Sequence, residues 1–197
     1  IAQWMNVGFI HGVMNTDNMT LSGETMDYGP CAFMEAYDPA AVFSSIDRHG
    51  RYAYGNQPAM AACNLARLAE ALLPLLSDAP EEAVALATQV INTFPAQYRQ
   101  QLLAGQRAKL GLNRADAADE AADAALADDW LQLLQAQRVD FTRAWHALAD
   151  AAAGNEARLR ALCADPNAPD AWLTRWRARC AREDGDAATG EQRAQRM

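Results

Sequence analysis

Oxygen-bearing side chains are concentrated in one short stretch, VGFIHGVMNTDNMTLSGETMDYGP, which covers residues 7–30. Asn15, Asp17, Asn18 and Asp27 stand there among short apolar segments. Carboxylate and amide oxygens are the ligands that hard cations such as Mg²⁺ and Ca²⁺ prefer, and a positioned carboxylate can also take a proton from a reacting hydroxyl. The stretch is therefore the first candidate for a metal site or a general base.

Two widespread ligand-binding motifs do not account for these residues. A calcium loop that begins at Asn15 would place Met19, Thr20 and Met26 where it needs an oxygen ligand, a glycine and a glutamate. The chain also contains no Gly-x-Gly and no Gly-Lys pair, so it carries neither a dinucleotide fingerprint nor a Walker-type phosphate loop. A different local structure must position the oxygen ligands.

The Ser22–Gly23 dipeptide predicts a tight reversal between two short strands. In that register Asn18 lies opposite Asp27, and directly opposed residues of an antiparallel pair present their side chains on one face. Met19 and Met26 then lie on the other face, which suits a core. One carboxylate and one neutral oxygen, completed by water and phosphate oxygens, is a usual way for proteins to hold Mg²⁺. The hairpin alone leaves open that Asn18 and Asp27 only cap a turn.

The same stretch follows the spacing of the protein-kinase catalytic loop. That template reads H-R-D-L-x-x-x-N, followed by D-F-G, and its Asn and second Asp hold metal. His11 and Asn18 have the same separation, and Asp27–Gly29 (DYG) stands where D-F-G is expected. The place of the catalytic Asp is taken by Val13, whereas a carboxylate stands at Asp17, immediately before the metal-binding Asn.

HGVMNTDNM followed by DYGP resembles the selenoprotein O (YdiU) family, whose members have a kinase-like fold. The segment DRHGRY at 47–52, the segment NQP at 56–58 and the following NLARLAEAL are similar to the activation segment and next helix of that family, as is AKLGL at 108–112. The resemblance covers most of residues 1–112 and continues more weakly to the end of the chain.

The resemblance implies AMP transfer rather than phosphoryl transfer. Members of the family move AMP from ATP to Ser, Thr or Tyr hydroxyls of proteins and release pyrophosphate. At the matching positions, Asp17 would accept the proton of the hydroxyl, while Asn18 and Asp27 would hold Mg²⁺ or Mn²⁺, Asp27 thereby binding the nucleotide as well. The chemistry agrees, because a hydroxyl nucleophile at neutral pH needs a positioned base and the growing phosphate charge needs a cation.

Two other functions remain open from the residues. One is a kinase-like phosphotransferase, against which Val13 at the position of the usual base counts. The other is a non-catalytic pseudokinase scaffold that retains the ligand residues. The chain has no Gly-rich loop, and its only lysine is Lys109, far downstream of the catalytic motif. We therefore expect a C-terminal lobe, truncated at both ends, that binds ATP poorly without an N-terminal lobe.

The elements that must position this stretch are mainly helical. We expect a catalytic loop, a metal-binding β-hairpin and an activation segment over residues 1–60, a helical lobe over 58–182 and a loose tail over 183–197. The 3.6-residue spacing of Leu65, Leu68, Leu72 and Leu76 predicts a helix over 60–76. Pro80, followed by two glutamates, favours the start of the next helix. We expect this leucine stripe, and the leucines and tryptophans further along the chain, to pack in a core.

Composition excludes several classes of protein. The 197 residues are 51% hydrophobic and carry a formal net charge of −8, which argues against a general binder of nucleic acid or of anionic membranes. We find no run of about 18 apolar residues and so expect no membrane span. The four cysteines lie far apart, which favours reduced thiols in a cytosolic protein. The resemblance implies a bacterial cytoplasm, and mitochondria for eukaryotic members.

A few further residues near the motif carry weaker expectations. His11 is expected to pack and to form hydrogen bonds within the catalytic loop. Cys31 is either an inert thiol or, as the resemblance implies, a redox-responsive one with a partner near the extreme C-terminus. Arg48, Arg51, Tyr52 and Tyr54 are expected to be solvated loop residues, the alternative being substrate contact or modification within the chain.

Overall fold

The computed structural model describes residues 1–113, 117–184 and 190–197. Its α-helices are α1 (Ala2–Val7), α2 (Gln57–Leu76), α3 (Pro80–Ile91), α4 (Phe94–Lys109), α5 (Glu120–Gln137), α6 (Phe141–Ala152), α7 (Ala157–Leu162), α8 (Asp170–Asp184) and α9 (Gly190–Arg196). Strands β1 (Phe9–Ile10) and β2 (Ala32–Phe33) form a two-stranded sheet, and 3₁₀ turns span Thr16–Asn18, Tyr54–Asn56 and Ala117–Asp119. The mainly α architecture that the sequence predicts is confirmed.

The chain divides into two compact units. The first comprises Ile1–Phe33 and Pro39–Gln101, and the second comprises Met34–Asp38 and Leu102–Met197. This division cuts across the predicted segments, since α4 contributes to both units. Part of the predicted loose tail, residues 185–189, lies outside the described residues, whereas Gly190–Arg196 forms α9.

The predicted hairpin is wrong in its strands, and the observed turn has Leu21 and Ser22 at its centre, one residue earlier than predicted. Gly23 N–H donates to the Thr20 carbonyl at 3.3 Å, but residues 19–21 and 24–26 form no ladder. The antiparallel pairing lies further out, where Phe9 pairs with Phe33 and Ile10 with Ala32. Side-chain bonds compete with the ladder, because the Thr20 hydroxyl donates to the Glu24 carbonyl at 3.0 Å.

Helices α2 and α3 pack against each other in the first unit. The predicted start of α3 at Pro80 is confirmed, with two glutamates in its first turn, while α2 begins at Gln57, earlier than expected. The leucine stripe of α2 does not enter a core, contrary to expectation. Leu65, Leu68, Leu72 and Leu76 line an open groove of about 760 Å³ together with residues of α3 and α4.

One helical stretch of the described residues, Tyr54–Leu76, is long and apolar enough to cross a membrane by length and composition. The sequence expectation of no such span is therefore not upheld by this test. A single stretch is weak evidence for a membrane span, and this one carries an ion pair between Arg67 and Glu70 at 2.8 Å.

The second unit is built around tryptophans, as the sequence predicts. The rings of Trp130 and Trp172 lie 4.5 Å apart, and those of Trp172 and Trp176 lie 5.7 Å apart and are stacked. The indole nitrogens of Trp172 and Trp176 donate to the backbone carbonyls of Leu126 and Leu110, each at 2.9 Å. These bonds satisfy the polar atoms that burial of an indole removes from water.

Lys109, the only lysine of the chain, ends α4 in this second unit. Its Nζ lies 4.2 Å from the ring centre of Trp145 and 4.6 Å from that of Phe141. Burial lowers the pKa of the amine to about 7, and the two aromatic faces oppose that shift because they attract the ammonium form. Asp17, Asn18 and Asp27 belong to the first unit, so Lys109 packs within a different unit from the oxygen ligands.

A buried ion cluster joins α4, α5 and α8. The fully buried Asp123 accepts from Arg107 Nε at 2.7 Å and from Arg179 Nε at 2.6 Å. Both carboxylate oxygens are therefore engaged by guanidinium groups, which offsets the cost of removing the charges from water.

Replacing Asp123 should destabilise the second unit strongly. We expect Asp123→Ala to lower the free energy of unfolding by about 3–5 kcal/mol, because it removes the buried carboxylate that both guanidinium groups contact most closely. The matched control is Asp150→Ala, which removes a half-exposed partner of Arg158 and should cost only about 0–1 kcal/mol. Urea unfolding of both variants measures the difference, and equal losses would contradict the buried cluster.

Candidate active site

The loop of residues 11–31 is closed at its base by the β1–β2 pair and by a contact between Gly12 and Pro30. A Cβ at Gly12 would lie 2.9 Å from Pro30 Cγ, and the φ of Gly12 is +85°, so both space and backbone conformation require glycine. Gln57, in the first turn of α2, holds the end of β1. Its Oε1 accepts from His11 N–H and its Nε2 donates to the Phe9 carbonyl, both at 2.9 Å.

The imidazole of His11 links the two halves of the loop. Val13 N–H donates to Nδ1 at 3.4 Å, and Nε2 lies 2.8 Å from the Met26 carbonyl. Since Nδ1 acts as an acceptor, the proton of a neutral ring lies on Nε2 and is donated to Met26. The expectation that His11 packs and forms hydrogen bonds within the loop is confirmed. One of these bonds reaches Met26, the residue before Asp27.

Trp4 of α1 supports the same connection. Its ring stacks on His11 with centres 5.4 Å apart, and its Nε1 donates to Thr25 Oγ1 at 2.9 Å. Thr25 and Met26 are therefore both bonded to other parts of the first unit immediately before the chain reaches Asp27.

Asp17 and Asn18 lie side by side on the 3₁₀ turn. Asn18 N–H donates to the Asn15 carbonyl at 3.0 Å, and Asn18 Nδ2 donates to the Val13 carbonyl at 3.1 Å. The second bond fixes the orientation of the amide, so Oδ1 is the end that remains available as a ligand. Asn64 of α2 holds the chain before this turn by donating to the Met14 carbonyl at 2.9 Å.

Asp27 has a backbone conformation that side chains rarely adopt. Its φ is +54°, in the left-handed region, which Asp tolerates better than most residues other than glycine and Asn. Asp27 and Asp17 are exposed, and neither carboxylate forms a hydrogen bond or ion pair with another described residue. That Asn18 and Asp27 face each other stays a prediction, because the ladder on which it was based is not formed.

The donor set fits a hard divalent cation. Asn18 offers an amide oxygen and Asp27 a carboxylate, neither engaged elsewhere in the described part of the chain, and Mg²⁺ accepts one or two protein oxygens beside water and phosphate oxygens. Within the same residues no three His, Cys, Asp or Glu side chains are grouped to form a complete metal cage. The side chains therefore suit a metal that arrives with a phosphate ligand.

Sequence reasoning missed several residues that position the loop. Gln57 and Asn64 are buried on α2, seven positions apart on one helical face, and both bond to backbone of the loop. Polar residues at that spacing on an otherwise apolar helix were a usable signal. No local signal marked Trp4, whose bond to Thr25 spans 21 positions.

Substitutions at Asp27 should reveal whether the left-handed conformation exists in solution. We expect Asp27→Gly to be at least as stable as the wild type, because glycine adopts positive φ without strain. Asp27→Ala should lower the free energy of unfolding by about 1 kcal/mol relative to Asp27→Gly, since a Cβ is disfavoured there. Guanidinium unfolding compares the two variants, and a more stable alanine variant would contradict this backbone geometry.

Comparison with known proteins matches residues 1–195 to the family model described as protein adenylyltransferase SelO. A protein nucleotidyltransferase YdiU of Cereibacter sphaeroides is 60% identical over 181 residues, which are 92% of this chain and 37% of the relative. Relatives of the same name from Chromobacterium violaceum and Rhizobium johnstonii are 58% and 52% identical, over 91% and 98% of this chain and 37% and 38% of their own lengths. The chain spans little more than a third of these relatives, and it belongs to the selenoprotein O family of protein adenylyltransferases.

Proposed function

We propose that the full-length protein transfers AMP from ATP to Ser, Thr or Tyr hydroxyls of proteins. The observation that carries the proposal is the 3₁₀ turn that presents Asp17 and Asn18 side by side, connected through His11 to the segment that precedes Asp27. The family match and the nucleotidyltransferase names of the relatives support it.

Asp17 is the proposed general base. The acceptor oxygen attacks the α-phosphorus, the bond from that phosphorus to the oxygen bridging to the β-phosphate breaks, and pyrophosphate leaves. The hydroxyl proton passes to the Asp17 carboxylate. Asp17 is exposed on its turn, so the side chain of another protein has access to it, and no described residue competes for its oxygens.

Asn18 and Asp27 are the proposed ligands of Mg²⁺ or Mn²⁺. When bound, the ion neutralises charge on the phosphate oxygens and on the leaving pyrophosphate. Asn18 is suited to this role because its amide nitrogen is already bonded to Val13, which leaves the oxygen as the ligand. Asp27 is suited because its carboxylate is exposed and is not engaged in a structural ion pair.

Transfer of the γ-phosphoryl group is the alternative that the kinase-like spacing of His11 and Asn18 favours. Val13 occupies the position of the usual kinase base, and its backbone N–H is bonded to His11. An aliphatic side chain accepts no proton, so a kinase reaction would also depend on Asp17. The identity of the base therefore does not distinguish AMP transfer from phosphoryl transfer. Isotopic labelling has to show whether the α- or the γ-phosphorus reacts.

Labelled ATP separates the two reactions. The full-length protein, given Mg²⁺ or Mn²⁺ and a protein substrate, should incorporate label from α-³²P ATP and none from γ-³²P ATP. Incorporation only from the γ-label would establish a kinase, and incorporation from neither at any metal concentration would favour a scaffold.

Variants then test the roles of the carboxylates. Asp17→Asn should lower the rate of AMP transfer by about 10²–10⁴-fold, the usual contribution of a general base. Asp27→Ala should abolish transfer and the metal dependence of ATP binding. The matched control is Asp78→Asn, which neutralises an exposed carboxylate just before α3 and should leave the rate unchanged. Undiminished transfer by either site variant would contradict the assignment.

A further inference from the structure

The hydroxyl of Tyr52 is bonded to the residue that precedes the 3₁₀ turn. Tyr52 Oη donates to Asn15 Oδ1 at 2.5 Å, across 37 positions of sequence. Tyr52 is half-buried, and its bond to Asn15 lies at the protein surface. The expectation of a solvated loop residue is wrong for Tyr54, which is buried and whose hydroxyl donates to the Met5 carbonyl.

Tyr52 is itself held by a local turn. The Asp47 carboxylate accepts from the backbone N–H groups of Arg51, at 2.9 Å, and of Tyr52, at 2.7 Å. Desolvation raises the pKa of the Asp47 carboxyl, but the backbone N–H bonds outweigh it, and the pKa lies below its ordinary value. Asp47 is therefore charged at neutral pH, and these bonds are charge-assisted. The Arg51 guanidinium lies 5.8 Å from the centre of the Tyr52 ring.

Asn15 connects Tyr52 to the turn that carries Asp17. The Asn15 carbonyl accepts from Asn18 N–H at 3.0 Å and so closes the 3₁₀ turn, while its side chain bonds to Tyr52. An Asn side chain without an external partner bonds readily to neighbouring backbone groups and changes the local turn. The bond to Tyr52 engages the Asn15 side-chain oxygen, which could otherwise bond to those backbone groups.

We propose that Tyr52 is a positioning residue for Asp17, acting through Asn15. This role rests on the proposed function, in which Asp17 receives the proton of the acceptor hydroxyl. Asp47 fixes the backbone of Tyr52, Tyr52 fixes the side chain of Asn15, and Asn15 sets the turn on which Asp17 stands. The chain of bonds ends on the Asn18 backbone N–H, and none of its bonds involves Asn18 Oδ1 or the Asp27 carboxylate, the oxygens proposed to hold the metal.

Kinetics of the full-length protein test this role with Tyr52→Phe, which removes one oxygen and keeps the ring. We expect kcat for AMP transfer to fall about tenfold, the equivalent of one lost hydrogen bond, with the KM for ATP unchanged. Asn15→Ala should have the same effect, and the double variant should be no slower than either single variant, because all three remove the same bond. Tyr98→Phe, in α4, is the matched control and should keep the wild-type kcat.

A structural readout is independent of activity. In the 197-residue chain, Tyr52→Phe should speed amide hydrogen exchange at Asn18, whose N–H closes the turn, without changing exchange in α3. Four results would each overturn the positioning role: unchanged exchange at Asn18, an unchanged kcat, a rise in the KM for ATP as large as the fall in kcat, or additive losses in the double variant. Absence of AMP transfer by the wild type would instead contradict the proposed function.

Discussion

The imidazole of His11 is bonded at both nitrogens, and these two bonds connect the two halves of the candidate site. One fixes the ring to the catalytic loop at Val13, and the other carries it to the carbonyl of Met26. A ring without access to water cannot exchange either bond for a water bond at no cost, so both persist in the folded state. Because Met26 directly precedes Asp27, the bond from the imidazole to the Met26 carbonyl fixes the backbone next to Asp27.

Apart from the two bonds donated by Asn18, the bonds that position the loop are made by residues other than the proposed site residues. Gln57 and Asn64 on α2 donate to the backbone carbonyls of Phe9 and Met14. Trp4 on α1 donates to the Thr25 hydroxyl, and Tyr52 donates to the Asn15 side chain. The carboxylates of Asp17 and Asp27 and the Oδ1 of Asn18 take part in none of these bonds. Such a division suits a site that must bind a cation and accept a proton, since groups already engaged would have to be released first.

Local patterns predicted the start of α3 and singled out the oxygen-bearing residues of the loop. The Pro80 start of α3 follows from capping and dipole rules. Asp17, Asn18 and Asp27 stand out by type and spacing, while the roles proposed for them come from the resemblance to the selenoprotein O family. That no strand ladder forms around Ser22–Gly23 was not predictable in this way, because His11 and Trp4 bind residues 25–26 from far along the chain. The leucine stripe of α2 shows a related limit, since periodicity identifies an apolar face but not what lies against it.

The same limit explains why the positioning residues were missed. Tyr52 and Asn15 are ordinary loop residues by composition, and only the folded chain brings them together. Long-range hydrogen bonds of this kind leave no period in the sequence, unlike the spacing of Gln57 and Asn64 on one helix.

Nitrogen NMR of the His11 side chain tests the central constraint most directly. The account predicts a neutral ring protonated at Nε2, unprotonated at Nδ1, and an Nε2 proton protected from exchange by its bond to the Met26 carbonyl. A ring protonated at Nδ1, or an Nε2 proton that exchanges freely with water, would contradict it.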